Sequence, residues 1–327
     1  MLSTLQERCE LFIQNRDAVK SAFGWENTYI YPICASIFTS KNMTVDAARM
    51  KTCLELLKEK TGIFSNFRGA DRMATVSMLC VSENPERQME QMLTVYDSLK
   101  EVFWGSEYLA LTASAIAQLA EPAEYQQIAQ KTREIYNRMK AAHPLLTSGE
   151  DSAFAALLAM SGLDEAHIAQ EMERCYEVLK PHFFSGNAVQ SLSHVLALGE
   201  GRAEDKCGKT LELFDLLKNR GYKYGKGYEL PTLGALAILD ASASTLVDEI
   251  IEIDDYLKAQ KGFGAFGVGA KQRLMYAGIL AMNGRIPETH TIQTAALNGI
   301  VSLIIAQHVA MCASMAAASA AASSSSS

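Results

Sequence analysis

The stretch "YDSLKEVFWGSEYLALTASAIAQL", residues 96–119, decides the fold. Its first half is charged and ends on Leu99-Lys100; its second half is apolar, rich in alanine and free of basic residues. An aromatic, glycine-bearing break, Phe103-Trp104-Gly105-Ser106, separates the two. The pattern recurs along the chain. A Leu-Lys or Met-Lys pair stands at Leu57-Lys58, Leu99-Lys100, Met139-Lys140, Leu179-Lys180, Leu217-Lys218 and Leu257-Lys258, with gaps of 42, 40, 40, 38 and 40 residues. Three residues before each pair come Leu54, Tyr96, Tyr136, Tyr176 and Phe214, with Asp254 as the exception. A weaker copy places Val19-Lys20 38 residues upstream of Leu57-Lys58.

Each pair leads into a break such as "TGIFSNFRGADR", "PHFFSGNAVQ" or "KGFGAFGVGAK", and each break into an apolar segment such as "MATVSMLC", "AFAALLAM" or "RLMYAGILAM". The unit predicts about seven αα-hairpins of about 40 residues. Helix A is amphipathic, with apolar residues at 3–4 spacing. Helix B is apolar on most faces and must be buried on most faces. One hairpin cannot bury that surface alone, so hairpins must stack. No useful length of β-type alternation occurs, and the glycines fall in the breaks, where helix ends want them. The expected fold is all-α: a single helical-repeat domain over residues 1–312 and a flexible Ala/Ser tail over 313–327. Its arrangement is an α/α toroid or a short, HEAT-like α-superhelix. The segregation of one polar and one small-residued helix type favours the toroid.

Of 327 residues, 49% are hydrophobic and 20% charged, which supports a sizeable core. A net charge of −7 argues against a phosphate-backbone binder, so no nucleic-acid partner is expected. The seven cysteines are odd in number and form no C-x-x-C pair, the pattern of reduced thiols packed in a cytoplasmic protein. Charges in "MLSTLQERCELFIQNRD" interrupt the apolar run a secretory signal needs. Residues 294–327 carry no charge and are long enough to span a bilayer. Asn298, Gln307 and His308 interrupt them, and Ser302, Ala306, Ala310, Ser314 and Ala318 form a small-residue ridge suited to close helix approach. The expected role is a buried cap, with membrane tethering through 294–318 or self-association as alternatives.

Identical units place every A-to-B break at one end of the stack, and loops gathered on a rigid scaffold are where binding sites form. These loops carry Phe64, Phe67, Phe103, Trp104, Tyr108, Phe183, Phe184, Tyr222, Tyr224, Tyr228, Phe263 and Phe266. Acids stand near the start of helix B: Asp71, Glu107, Glu150, Asp151 and Glu229. Paired carboxylates in an aromatic cleft suit acid/base work on a sugar, although capping alone favours acids there. Gly262-x-Gly264-x-x-Gly267 follows a helix and no strand, which removes a dinucleotide reading. Glycine-rich backbone running into a helix start beside Lys271 and Arg273 suits an anion. His182 and His194 lack any zinc spacing, so neither metal nor cofactor is expected, and His194 fits a hydrogen-bonded core histidine. No acyl-transfer or P-loop motif occurs. The candidate ligand-binding residues are Trp104, Glu107, Tyr108, Glu150, Asp151, Asn187, His194, Tyr228, Glu229 and Lys271. The expected function is binding of a peptide, protein or small molecule at this loop face. The alternative is an α/α-toroid enzyme acting on a carbohydrate- or isoprenoid-type substrate with loop carboxylates, a reading by architectural analogy.

The order "FSNFRG", "FWGSEYL", "LTSGEDSAFAALLAMSGL", "FFSGNAVQSLSHVLALGEG", "GYKYGKGYEL" and "KGFGAFGVGAKQRLMYAG" resembles a bacterial family catalogued as domain of unknown function 4003. The likeness covers residues 1–312. It implies a bacterial single-domain protein and brings no activity, cofactor or catalytic residue with it.

Overall fold

A computed structural model describes residues 5–69, 72–264 and 267–285, with the side chain of Glu107 outside the description. Asp71, Phe266, the 294–318 segment and the 313–327 tail also lie outside the described residues. Among the described residues the regular structure is fourteen α-helices and three short 3-10 turns, with no strand. The helices alternate in type. The charged halves form the A helices: α1 (Leu5–Ala22), α3 (Ala47–Lys60), α5 (Pro85–Lys100), α7 (Tyr125–Ala142), α9 (Glu165–Leu179), α11 (Ala203–Asn219) and α13 (Ala243–Lys258). The apolar halves form the B helices: α2 (Ile30–Ser40), α4 (Arg72–Val81), α6 (Glu107–Leu119), α8 (Asp151–Met160), α10 (Gly186–Ala197), α12 (Leu230–Ala237) and α14 (Ala270–Asn283).

Capping chemistry sets many of the starts. Asp46, Asn84, Asp164 and Ser242 accept from backbone N–H groups in the first turns of α3, α5, α9 and α13, and Ser106 and Ser185 do so for α6 and α10. The lysine of the repeated pair sits at or beside the last turn of each A helix, where it complements the backbone dipole.

Every A helix buries the same three positions. Counted back from the first residue of its pair, these are the residue itself and those four and seven earlier: Leu57, Cys53 and Met50; Leu99, Val95 and Met92; Leu179, Cys175 and Met172; Leu257, Ile253 and Ile250. That stripe is one side of a 3.6-residue spiral, and each apolar member contributes roughly 1.5–3 kcal/mol by leaving water. The B helices are buried nearly all round: α4 from Met73 to Cys80, α8 from Asp151 to Ala159. The six described cysteines are all buried and free.

Each A helix packs on the B helix that follows, and helices of one type touch their neighbours in order. The last pair also packs on the first, α13 against α1 and α14 against α2. Phe12 of α1 lies 6.0 Å from the ring of Phe263 and 5.7 Å from that of Tyr276. Arg16 donates to the Lys261 carbonyl at 2.7 Å, and Arg8 to that of Leu280. Buried polar groups are well matched in two places. Asn15 donates to Thr39 Oγ1 and the Met43 carbonyl and accepts from the Val45 N–H. Arg273 grips both carboxylate oxygens of Asp254, at 2.8 and 3.0 Å, and donates to the Phe263 carbonyl.

Candidate functional site

The A-to-B breaks are tied sideways by a ladder of contacts. Phe67 lies 5.1 Å from Tyr96, Phe103 5.3 Å from Tyr136, His143 4.2 Å from Tyr176 and Phe183 5.3 Å from Phe214. In each rung a break residue leans on the aromatic that precedes the next Leu-Lys or Met-Lys pair by three. Three rungs are edge-on and the His143–Tyr176 rung is tilted at 46°; edge-on aromatic pairs stabilise beyond their buried area. In the sixth pair Tyr222 donates to Asp255 instead, at 3.0 Å. From the seventh pair Phe263 reaches Arg16, whose guanidinium lies 5.0 Å over its ring; Arg16 precedes Val19-Lys20 by three. Gly105 serves this packing, because a Cβ there would meet the Tyr96 hydroxyl at 2.9 Å.

The ladder sorts the break residues into two classes. Phe67, Phe183 and Phe263 are buried rungs. Trp25, Phe64, Trp104, Leu145 and Phe184 are instead 72, 100, 95, 96 and 101% exposed, and Ile63 accompanies Phe64. Their spacings are 39, 40, 41 and 39 residues, the period of the whole chain. These large apolar side chains stand mostly in water, although Trp25 keeps an edge-on contact with Phe23 at 5.6 Å. Phe64, Trp104 and Phe184 are among the loop aromatics that stand out in the sequence; Trp25 and Leu145 are not. Repeat position was the signal that finds them.

Charge is biased, not divided, between the two ends. Exposed lysines close the A helices from Lys20 to Lys258, and Lys223, Lys226, Lys261 and Lys271 extend the basic edge. Asp17, Glu55, Asp97, Glu177, Asp215 and Asp255 are nevertheless exposed one turn before the helix-closing lysines, with Glu59 and Glu101 beside them. Lys41, Arg87 and Arg202 are exposed towards the other end. Glu101 accepts from Gln126 at 2.7 Å. The opposite, B-to-A end exposes Glu83, Glu121, Glu124, Asp164, Glu200 and Asp240. It also carries a cleft of about 410 Å³ bordered by Leu119, Lys131, Leu157, Met160 and Leu198. No sequence motif signals that cleft, whose walls join the ends of the apolar helices α6 and α8 to Gln127, Ile128 and Lys131 of α7.

The carboxylates mostly serve their own loops. Asp151 accepts from the Ser148 N–H at 2.8 Å and Glu229 from the Gly227 N–H at 3.1 Å. Burial pushes the Asp151 carboxyl up to about 7, against the pull of the Ser148 N–H. Burial also raises the Glu150 carboxyl. Of the candidate residues, Asp151 and His194 are brought together: His194 Nδ1 stands 3.6 Å from Asp151 Oδ1, too far for a hydrogen bond. Burial, with His143 nearby, pushes the His194 imidazole down to about 3, so the pair is not an ion pair at neutral pH. His194 rests edge-on against Phe154, and Gln190 donates to Thr147 Oγ1 at 2.9 Å. Both His194 and Gln190 border a cavity of about 30 Å³ shared with His143, Glu173 and Tyr176. That is room for a water or two.

The other candidates are dispersed. Trp104, Asn187 and Lys271 are exposed; Tyr108 is half-buried, its ring 3.3 Å from where a Cβ on Gly149 would stand, and Tyr228 is half-buried beside Glu229. The Glu107 side chain lies outside the described residues. Arg273 is held between the Asp254 carboxylate and the Phe263 carbonyl of the glycine loop, so its guanidinium is already engaged within the protein. The glycines of that loop close a tight turn: Gly262 has φ +92°, and a Cβ on Gly267 would sit 2.1 Å from the Gly262 carbonyl oxygen. Among the described residues no group of three His, Cys, Asp or Glu gathers as metal ligands. No helix among them is long and apolar enough to cross a membrane.

Comparison with known proteins gives a distant relative, "Uncharacterized protein YeaA" of Bacillus subtilis (strain 168), 21% identical over 266 residues, 79% of this chain and 80% of that protein. No solved structure matches significantly. The family description "Protein of unknown function (DUF4003)" matches residues 15–309, the ladder and exposed edge included, and the chain belongs to the DUF4003 family.

Proposed function

We propose that the seven helix pairs close into an α/α ring and that the ring is a cytoplasmic docking module, using the A-to-B end as its binding face. The packing of α13 and α14 on α1 and α2 supports the ring, and six buried free thiols suit a reducing compartment. One observation carries the docking reading: Trp25, Phe64, Trp104, Leu145 and Phe184 are exposed at the repeat spacing, while Phe67 and Phe183 in the same breaks are buried rungs and Phe103 and His143 half-buried ones. Scaffolding alone needs only the rungs. A photo-crosslinking amino acid in place of Trp104 or Phe184, irradiated in cells of the native host, tests it. Adducts at both positions and none at the exposed Thr94 on α5 are expected. Equal labelling at Thr94, or none at either tip, rejects the docking face.

The second reading, an α/α-ring enzyme, has the Asp151 and His194 pair in its favour. Both side chains are only 3–4% exposed, and the adjoining cavity admits water but no sugar or isoprenoid. Docking is therefore preferred.

A further inference from the structure

The docking face as proposed leaves its partner open, and the chemistry of that face narrows it. We infer that the partner is the surface of an anionic lipid bilayer, met edge-on by the apolar tips and their lysine collar; this rests on the docking reading above.

Three observations converge. The tips share hydrocarbon character and little else: Trp104 and Phe184 offer ring faces, but Leu145 and Ile63 offer none. Base stacking would use only some of them, whereas an acyl-chain boundary accepts all alike. Every A helix ends on or beside an exposed lysine at this end, from Lys20 to Lys258. Lys58 and Lys100 pair with Glu55 and Asp97 one turn earlier and Lys140 donates to the Pro144 and Thr147 carbonyls, and lipid phosphates would compete for these ammonium groups once the tips entered. The acids are placed to orient the molecule. With a net charge of −7 the protein as a whole is repelled by an anionic surface, yet Glu83, Glu121, Asp164 and Glu200 stand at the far end. The lysine-richer end is repelled least, so the charge bias favours the orientation that inserts the tips. Each tip alone anchors weakly; several in one edge, with lysines beside them, supply the two signals that stable peripheral attachment takes.

The chain carries its own reporter, because its two tryptophans, Trp25 and Trp104, are both tips. Purified full-length protein is mixed with extruded vesicles of phosphatidylcholine alone or with about a third phosphatidylglycerol, enough to give the surface its negative potential. Co-flotation and tryptophan emission are then read. Expected are flotation with the anionic vesicles only and a shift of emission to shorter wavelength. Binding should weaken at least about tenfold as salt rises from 0.1 to 0.5 M, because the lysine contribution is screened. A triple variant, Phe64→Ser, Trp104→Ser and Phe184→Ser, should lose at least about a hundredfold in partitioning from the lost apolar burial. Its helical circular dichroism should stay unchanged, since the three side chains touch water in the folded state.

Flotation retained by the triple variant would place membrane contact elsewhere in the chain and overturn the inference. Absent vesicle binding overturns it too. If crosslinks from positions 104 and 184 then land on protein, the docking face survives with a different partner. Tip-dependent binding of single-stranded RNA without vesicle binding would assign the edge to nucleic acid. Neither lipid, protein nor RNA at the tips removes both readings together.

Discussion

Phe183 and Phe184 are adjacent, chemically identical and placed on opposite sides of the argument, so truncating each to alanine tests it directly. Phe183 is 4% exposed and meets Phe214 at 5.3 Å with the rings at 89°. Phe183→Ala removes a buried ring and leaves a cavity, which costs about 3–5 kcal/mol. About 0.5–1.5 kcal/mol of that belongs to the ring pair itself. Phe184 is 101% exposed, so Phe184→Ala removes nothing from the folded interior and should change stability by less than about 0.5 kcal/mol. The two variants should therefore differ by at least about 2.5 kcal/mol. Urea unfolding followed by far-ultraviolet circular dichroism reads the difference as a shift in midpoint at constant slope. A loss above about 1 kcal/mol for Phe184→Ala, or below about 1 kcal/mol for Phe183→Ala, would refute the division into rungs and tips.

The buried Asp151 and His194 set opposing pH dependences. Asp151 titrates near 7 when folded against an ordinary value of 3.8, so its contribution falls as pH rises from about 4 through 7. His194 titrates near 3 when folded against 6.5, so stability falls as pH drops below about 6.5. Between about pH 4 and 6.5 the two slopes oppose and largely cancel, so unfolding midpoints should fall with decreasing pH in Asp151→Asn and fall with increasing pH up to about 7 in His194→Gln; unchanged profiles would show that both groups titrate normally. Asp254→Ala strands Arg273 in the core and should cost about 3–5 kcal/mol, while exchanging both partners for leucine and methionine should cost far less; a double-mutant cycle measures the coupling. Gly234→Ala would drive a Cβ to 2.5 Å from Leu192 Cδ1, an overpacking cost of about 1–3 kcal/mol against about 0.5–1 kcal/mol of helix propensity gained. A higher melting temperature for that variant would show that Leu192 moves freely.

Much of this was legible in the chain. The period of the Leu-Lys pair places every A helix, and the residue three before it already marked a special register. That register turned out to be the far half of a rung, as at Tyr136 and Tyr176. Asp151 and His194 were each singled out on separate grounds, and the fold joins them because they stand 43 residues apart, one unit along. What could not be seen was which aromatic in a break points inward. Phe103 and Trp104 have the same local sequence environment, and the next A helix, distant in that reading, decides between them. The cleft at the acidic end was invisible for a related reason, since apolar helix ends look the same whether covered or open.

The meeting of α13 with α1 and α14 with α2 has a consequence for how the molecule behaves in a crowd. A row of like units that stops at a bare flank offers that flank to the next copy, which offers its own in turn, and growth has no natural end. Phe12 and Phe263 fill that flank from within one chain, so these two faces are spent on each other and not offered to a second copy.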